Sequence, residues 1–281
     1  MRNPLIATLM GITLAGAFVS ASAAPAPGKD LVEFEKMTWV DVKQALAAGK
    51  TTALIYTGGV EQRGPQNANG GHNLIGHATV DAIARQLGNA IYLPVLPFTP
   101  NNASADLPGT IGITDELLGA LLERLSEQSI VVGFKNVILM GDHGGGQPAV
   151  YAAVAKKLND KYSPQGIHVY YCDRVYTAAS DDFESYMASR GLPQDLHGGI
   201  SDTSEMLYLD KDGSWVRKNL LKTAVGDPVV DGKAVKGPNS PNNGITGDAR
   251  RSSAELGKKF MDIKVEYAVK QIREQVGGAA R

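Results

Sequence analysis

The sequence predicts a three-layer α/β/α fold with a mostly parallel central sheet. Short, uniformly apolar runs at 51–57 (TTALIYT) and 136–140 (NVILM) have the length and composition of strands buried on both faces. Longer segments with apolar residues at helical spacing alternate with such runs, which is the order that builds a parallel sheet covered on both sides. The first run also leads straight into a polar, glycine-rich stretch at 58–73, GGVEQRGPQNANGGHN. Loops at the carboxyl ends of strands are where open α/β sheets place their ligand sites.

Each element follows from local chemistry. A helix over 38–48 begins with Thr38 as N-cap, and Asp41 three residues on completes a capping-box-like pair. After the strand 51–57, a helix over 73–87 carries Leu74, Ile75, Val80, Ile83, Ala84 and Leu87 on one face and stops at Gly88. A strand at 90–95 and a helix at 115–131 come next. The strand 136–140 then breaks into the glycine-rich loop 141–146, and a helix over 148–158 and a strand over 166–172 follow. The only cysteine, Cys172, ends that apolar strand, so it reads as a buried residue and no internal disulfide can form. A long helix over 252–275 closes the chain. No repeat, low-complexity tract or linker interrupts the pattern, so 24–281 reads as a single domain.

Residues 1–23 have the form of a secretory signal peptide: Arg2, an apolar run from Pro4 to Val19, then Ala21-Ser22-Ala23 before the cut. The alternative is a membrane anchor, but the run is short against the roughly 20 residues of a span. With 28 basic and 29 acidic residues the formal charge is -1, and loss of Arg2 with the signal makes it -2. That balance gives no reason to expect nucleic acid or a charged membrane as partner. Export of a chain without disulfides points to a periplasmic or secreted protein.

The stretch after the first strand resembles the signature E-Q-H-G-P-H-L-P-L-x-T-D of the creatininase (creatinine amidohydrolase) family. Glu61, Gln62, Gly64 and Pro65 match in register, Arg63 stands at the family's first His, and His72 stands at its Asp. Leu107-Pro108-Gly109-Thr110 is similar to its F-P-G-T turn, and Gly141-Asp142-His143-Gly144-Gly145-Gly146 to its N-G-H-G-G-N loop. The run from His197 to Ser204 (HGGISDTS) resembles H-A-G-x-x-E-T-S with Asp202 at the Glu, and Gly244-Ile245-Thr246-Gly247-Asp248 resembles G-V-x-G-D. The likeness covers nearly all the chain after about residue 40 and implies a creatininase-like fold.

If the strands ending at Thr57 and Met140 are parallel, the loops holding Glu61, His72 and His143 leave the same sheet edge and can converge. Carboxylate plus imidazole is a ligand mixture suited to zinc and related divalent ions. The resemblance implies that Glu61 and His143 are metal ligands, with His72 as a third and Asp202 as a further ligand or a carboxylate behind the ligands. Members of the family hold two ions. Here Arg63 cannot ligate a metal, and Gly145 stands where creatininase has a ligand Glu, so one ion is expected instead of two. The Arg63 guanidinium is expected to point toward the vacated position and steady a developing oxyanion; the alternative is an ion pair with a carboxylate such as Asp142. By resemblance His197 donates a proton to the leaving nitrogen. Asp202 also reads as an N-cap of a helix over 203–208, and His77 and His168 as structural residues.

These readings give a metal-dependent amidohydrolase that cleaves a C–N bond of a small amide, cyclic amides included, with a metal-activated water. The expected ion is zinc, with manganese or iron as alternatives. Creatinine itself is not expected as substrate, because Gly144-Gly145 replace the Tyr-Glu pair of creatininase. Two rival readings are an inactive periplasmic ligand-binding protein on the same fold and a non-haem iron redox protein. The resemblance also implies a homo-oligomer.

Overall fold

The computed structural model describes residues 31–101, 106–238, 240 and 242–278. The expected signal segment 1–23 lies outside the described residues. Strand β1 (Thr52–Thr57) pairs in parallel with β3 (Asn136–Gly141), from Thr52 opposite Asn136 to Thr57 opposite Gly141. Strand β2 (Ala90–Tyr92) lies beside β1 and β4 (His168–Tyr171) beside β3, both parallel, so the order is β2-β1-β3-β4.

The strand side chains alternate between two apolar layers, because successive residues of a strand point to opposite faces. Leu54, Tyr56, Ile138 and Met140 meet Val80 and Ile83 of α2 (Gly71–Leu87) and Ala268, Val269 and Ile272 of α7 (Ala254–Gly278). Ala53, Ile55, Val137 and Leu139 meet Leu118 and Leu122 of α3 (Asp115–Val132) and Tyr151, Val154 and Leu158 of α4 (Gln147–Tyr162). This is the expected three-layer arrangement. Helix α1 (Trp39–Ala47) opens with the expected capping box, Asp41 N–H donating to Thr38 Oγ1 at 3.2 Å and Thr38 N–H to Asp41 Oδ2 at 2.8 Å.

Several boundaries differ from the sequence pattern. Helix α2 starts at Gly71, two residues early, which takes His72 out of the loop and into the first helical turn. Strand β2 ends at Tyr92, shortly before Pro94, which has no N–H for a ladder. Helix α5 (Thr177–Ser189) and the short antiparallel pair β5 (Val229–Val230) and β6 (Lys233–Ala234) were not legible. Helix α6 (Ile200–Leu209) begins at Ile200, so its N-cap is Gly199 and not Asp202. Phe183 and Met187 of α5, Ile200 of α6, and Phe260 and Ile263 of α7 form a further apolar cluster beside the sheet. No helix among the described residues is long and apolar enough to cross a membrane.

The strand order places the site. From β1 the chain goes out to β2 on one side and returns to β3 on the other, so the connections diverge between β1 and β3. The loops after Thr57 and Gly141 therefore leave the same sheet edge as neighbours, at the crevice that such a switch in direction opens. Helix α7 is held close to this crevice by its contact with α6, where a Cβ on Gly257 would lie 1.9 Å from the Ser204 carbonyl oxygen. Gly257→Ala is expected to cost about 1–3 kcal/mol through forced separation of the two helices, while Gly277→Ala, with open space around it, costs nothing. Urea unfolding of both variants measures the difference.

Candidate metal centre

Three elements deliver the central residues. Glu61 comes from the loop after β1, which is closed by Glu61 N–H donating to the Asn69 carbonyl at 2.9 Å and Gln62 N–H donating to Thr110 Oγ1 at 3.1 Å. His72 comes from the first turn of α2, and His143 stands two residues beyond β3. Glu61 is 1% exposed, and its Oε1 lies 2.8 Å from His72 Nε2 while its Oε2 lies 2.9 Å from His143 Nε2. The imidazoles stack with centroids 4.6 Å apart. One ligand atom from each of the three residues lies within 4.8 Å of the other two. A carboxylate and two imidazoles at that spacing fit a divalent transition-metal ion.

The protonation pattern follows from the partners. Burial works against the Glu61 carboxylate, but hydrogen bonds from His143 and His72 outweigh it and hold the group well below the usual carboxylate range. His72 faces carboxylates at both nitrogens, with Nδ1 3.1 Å from Asp142 Oδ1. Burial and the Arg63 charge push its pKa down, but Asp142 and Glu61 prevail and bring it up to about 9. Burial lowers the His143 pKa, and Gly145 N–H donates to its Nδ1 at 3.0 Å, so the ring is neutral with its proton on Nε2 facing Glu61.

Behind the three residues lies a set of buried charges. Asp142 uses one oxygen on His72 and the other on Lys264 Nζ at 3.3 Å, and that ammonium also reaches Glu205 Oε2 at 2.7 Å. Arg63, 1% exposed, pairs through Nη2 with Asp202 Oδ1, while Asp202 Oδ2 accepts the Gly198 N–H at 2.7 Å. Only glycine fits beside this guanidinium, since a Cβ at Gly71 would fall 2.1 Å from Arg63 Nη1.

Arg63 is 1% exposed and gives its Nη2 to Asp202 beside the centre, which is the ion-pair alternative. Its partner carboxylate is Asp202 and not Asp142. Asp202 in turn spends both oxygens on Arg63 and Gly198 and does not join the three-residue cluster, so it stands as a carboxylate behind the ligands. The reason is electrostatic: a fully buried guanidinium takes the nearest carboxylate as counter-ion.

His197 lies at the rim of the same crevice. Its Nε2 is 2.7 Å from the Gln62 carbonyl, to which it donates, and its Nδ1 lies 3.8 Å from Glu61 Oε1. The cavity in front of these groups has a volume of about 830 Å³, and its wall includes Glu61, His143, Tyr176, His197 and Phe260. Tyr176 was not singled out in the sequence, yet its hydroxyl is packed so close to Gly144 that a Cβ there would fall 2.5 Å from it. Lys264 and Glu205 were missed as well. A lysine among Phe260, Met261, Ile263, Ala268 and Val269 on the buried face of α7 was the available signal. His77 is exposed on α2, and His168 Nδ1 lies 3.3 Å from Asn159 Oδ1, away from the site.

A parallel sheet with a carboxylate and two histidines converging at its carboxyl edge defines an α/β protein with a candidate metal centre. The profile of the family described as creatininase, creatinine amidohydrolase, matches residues 35–272. The chain belongs to the creatininase family. It is 22% identical over 254 residues to the creatinine amidohydrolase of Pseudomonas putida, covering 85% of this chain and 95% of that protein. The solved structure described as creatininase Mn superposes with a TM-score of 0.70 at 20% identity over 88% of this chain and 99% of that one. A Zn-Zn form of a variant creatininase superposes with a TM-score of 0.67 at 20% identity over 88% and 98%. Membership supports metal-dependent amide hydrolysis at the level of the family.

The buried Arg63–Asp202 pair is testable without reference to activity. Arg63→Met strands a mostly buried carboxylate and is expected to lower stability by about 3 kcal/mol, whereas Arg63→Met combined with Asp202→Leu recovers most of the loss. Denaturant midpoints of the two variants decide this.

Proposed function

We propose that this protein is an exported amidohydrolase that cleaves a C–N bond of a small amide with one divalent ion, zinc first among the candidates. The observation that carries the reading is the convergence of Glu61, His72 and His143 on one point at the mouth of a cavity large enough for a small molecule. When bound there, such an ion supplies a water of near-neutral pKa and a Lewis acid for the substrate carbonyl.

The rest of the work falls to the chain. His72 is aimed by Asp142, whose carboxylate fixes the ring through Nδ1 and leaves Nε2 for ligation. His197 has its Nε2 proton anchored on the Gln62 carbonyl, so Nδ1 is the atom that takes up a proton and delivers it to the departing nitrogen. Arg63 acts at a distance, as a fixed positive charge beside the centre where the family's first His would stand. Tyr176 and Phe260 add aromatic side chains to an otherwise largely polar cavity wall.

The substrate differs from creatinine on this reading. The segment after His143 offers Gly144 and Gly145 and no aromatic, and the space above Gly144 is taken by Tyr176, which arrives from the segment before α5. A second reading, an oxygen-dependent iron protein, is favoured by the same donor set of two histidines and one carboxylate.

Zinc-loaded protein assayed on a panel of small cyclic and linear amides is expected to hydrolyse at least one, and His143→Ala is expected to lose at least 1,000-fold in kcat/KM, on the order of a metal-hydrolase's dependence on its ion, with unchanged circular dichroism. No turnover of any amide by zinc-, manganese- or iron-loaded protein contradicts the hydrolase. Zinc at ~100 times its Kd is also expected to stabilise the folded chain by about 2.7 kcal/mol, an effect that Glu61→Gln abolishes in a thermal-shift titration.

A further inference from the structure

Lys264 stands out among the buried groups. It lies on the buried face of α7 at 3% exposure, with its ammonium between Asp142 and Glu205 and over the ring of Phe260 at 4.4 Å from the centroid. A lysine is rarely buried unless paired, and this one neutralises a carboxylate that is itself one hydrogen bond from His72. Glu205, the other partner, is 1% exposed and leaves its Oε1 without any hydrogen-bond donor among the described residues.

Without the lysine, Asp142 and Glu205 would be two buried carboxylates that had shared one cation, near an imidazole, with Glu205 Oε1 already lacking a donor. That is a donor set for a second divalent cation. Resting on the reading of Glu61, His72 and His143 as the ligands of one ion, we propose that Lys264 is the built-in second cation of this centre. Its ammonium occupies the place beside Asp142 that another metal ion would need. Arg63 does the same for Asp202, so Asp142, Glu205 and Asp202 each have a lysine or arginine partner, while Glu61 is paired with imidazoles only. The centre is thereby restricted to one ion by side chains from two different elements, the β1 loop and α7. Lys264 is in this sense a positioning residue that acts through Asp142 and the metal count, since it needs no contact with substrate.

The test is zinc stoichiometry, read by isothermal titration and by elemental analysis after gel filtration, with circular dichroism as the check on folding. Wild type is expected to take one zinc per chain. Lys264→Ala, with the two carboxylates released, is expected to take two, Lys264→Arg one, and Lys264→Ala combined with Glu205→Gln one. One zinc in both wild type and folded Lys264→Ala overturns the role of Lys264 and leaves the hydrolase reading standing; no zinc in wild type overturns both. Should Lys264→Ala not fold, wild type carries the test alone: a second zinc bound within tenfold of the first affinity contradicts the proposal, and a single site up to millimolar zinc supports it.

Discussion

A carboxylate stays ionised when buried only if opposite charge or hydrogen-bond donors surround it, and Glu61 is the group on which this molecule turns. Removed from water at the edge of the sheet, it holds an imidazole on each oxygen, one from the helix after β1 and one from the loop after β3. Buried ionised groups survive only when paired and hydrogen-bonded, so the two loops are tied to one point by the same force that makes the point chemically useful. The sheet order sets this up, because β1 and β3 run side by side in one direction and end level with one another.

Charge compensation then spreads outward in a regular way. Asp142 answers His72, Lys264 answers Asp142 and Glu205, and Arg63 answers Asp202. Such a network costs desolvation and returns specificity of arrangement. Its outer members come from α6 and α7, whose close contact depends on Gly257. Helix α7 is therefore part of the centre, linked to His72 through Lys264 and Asp142.

The fold was largely legible in the sequence, and the centre in part. Uniform apolar runs revealed the two central strands, β1 and β3, because a strand covered on both faces leaves no polar side to dilute the signal. The capping pair Thr38 and Asp41 marked α1 for the same local reason. Helix α5 gave little, since its buried residues Ala179, Phe183 and Met187 are few and its start has no side-chain cap. Convergence of Glu61, His72 and His143 followed from topology. The counter-ion of Arg63 did not, because Asp202 is 139 positions away and nothing local connects them. Lys264 was written in the apolar stripe of α7, but a sequence names the buried lysine without naming the carboxylates it serves.

The claim that one divalent ion sits among a carboxylate and two imidazoles, with protein cations in place of a second ion, is most directly tested by X-ray absorption at the zinc edge of the zinc-loaded protein. The account predicts a single ion with two imidazole nitrogens and a carboxylate oxygen at about 2.0–2.2 Å and no neighbouring metal. A metal–metal distance of about 3.5–4 Å, or a shell lacking imidazole, would contradict it.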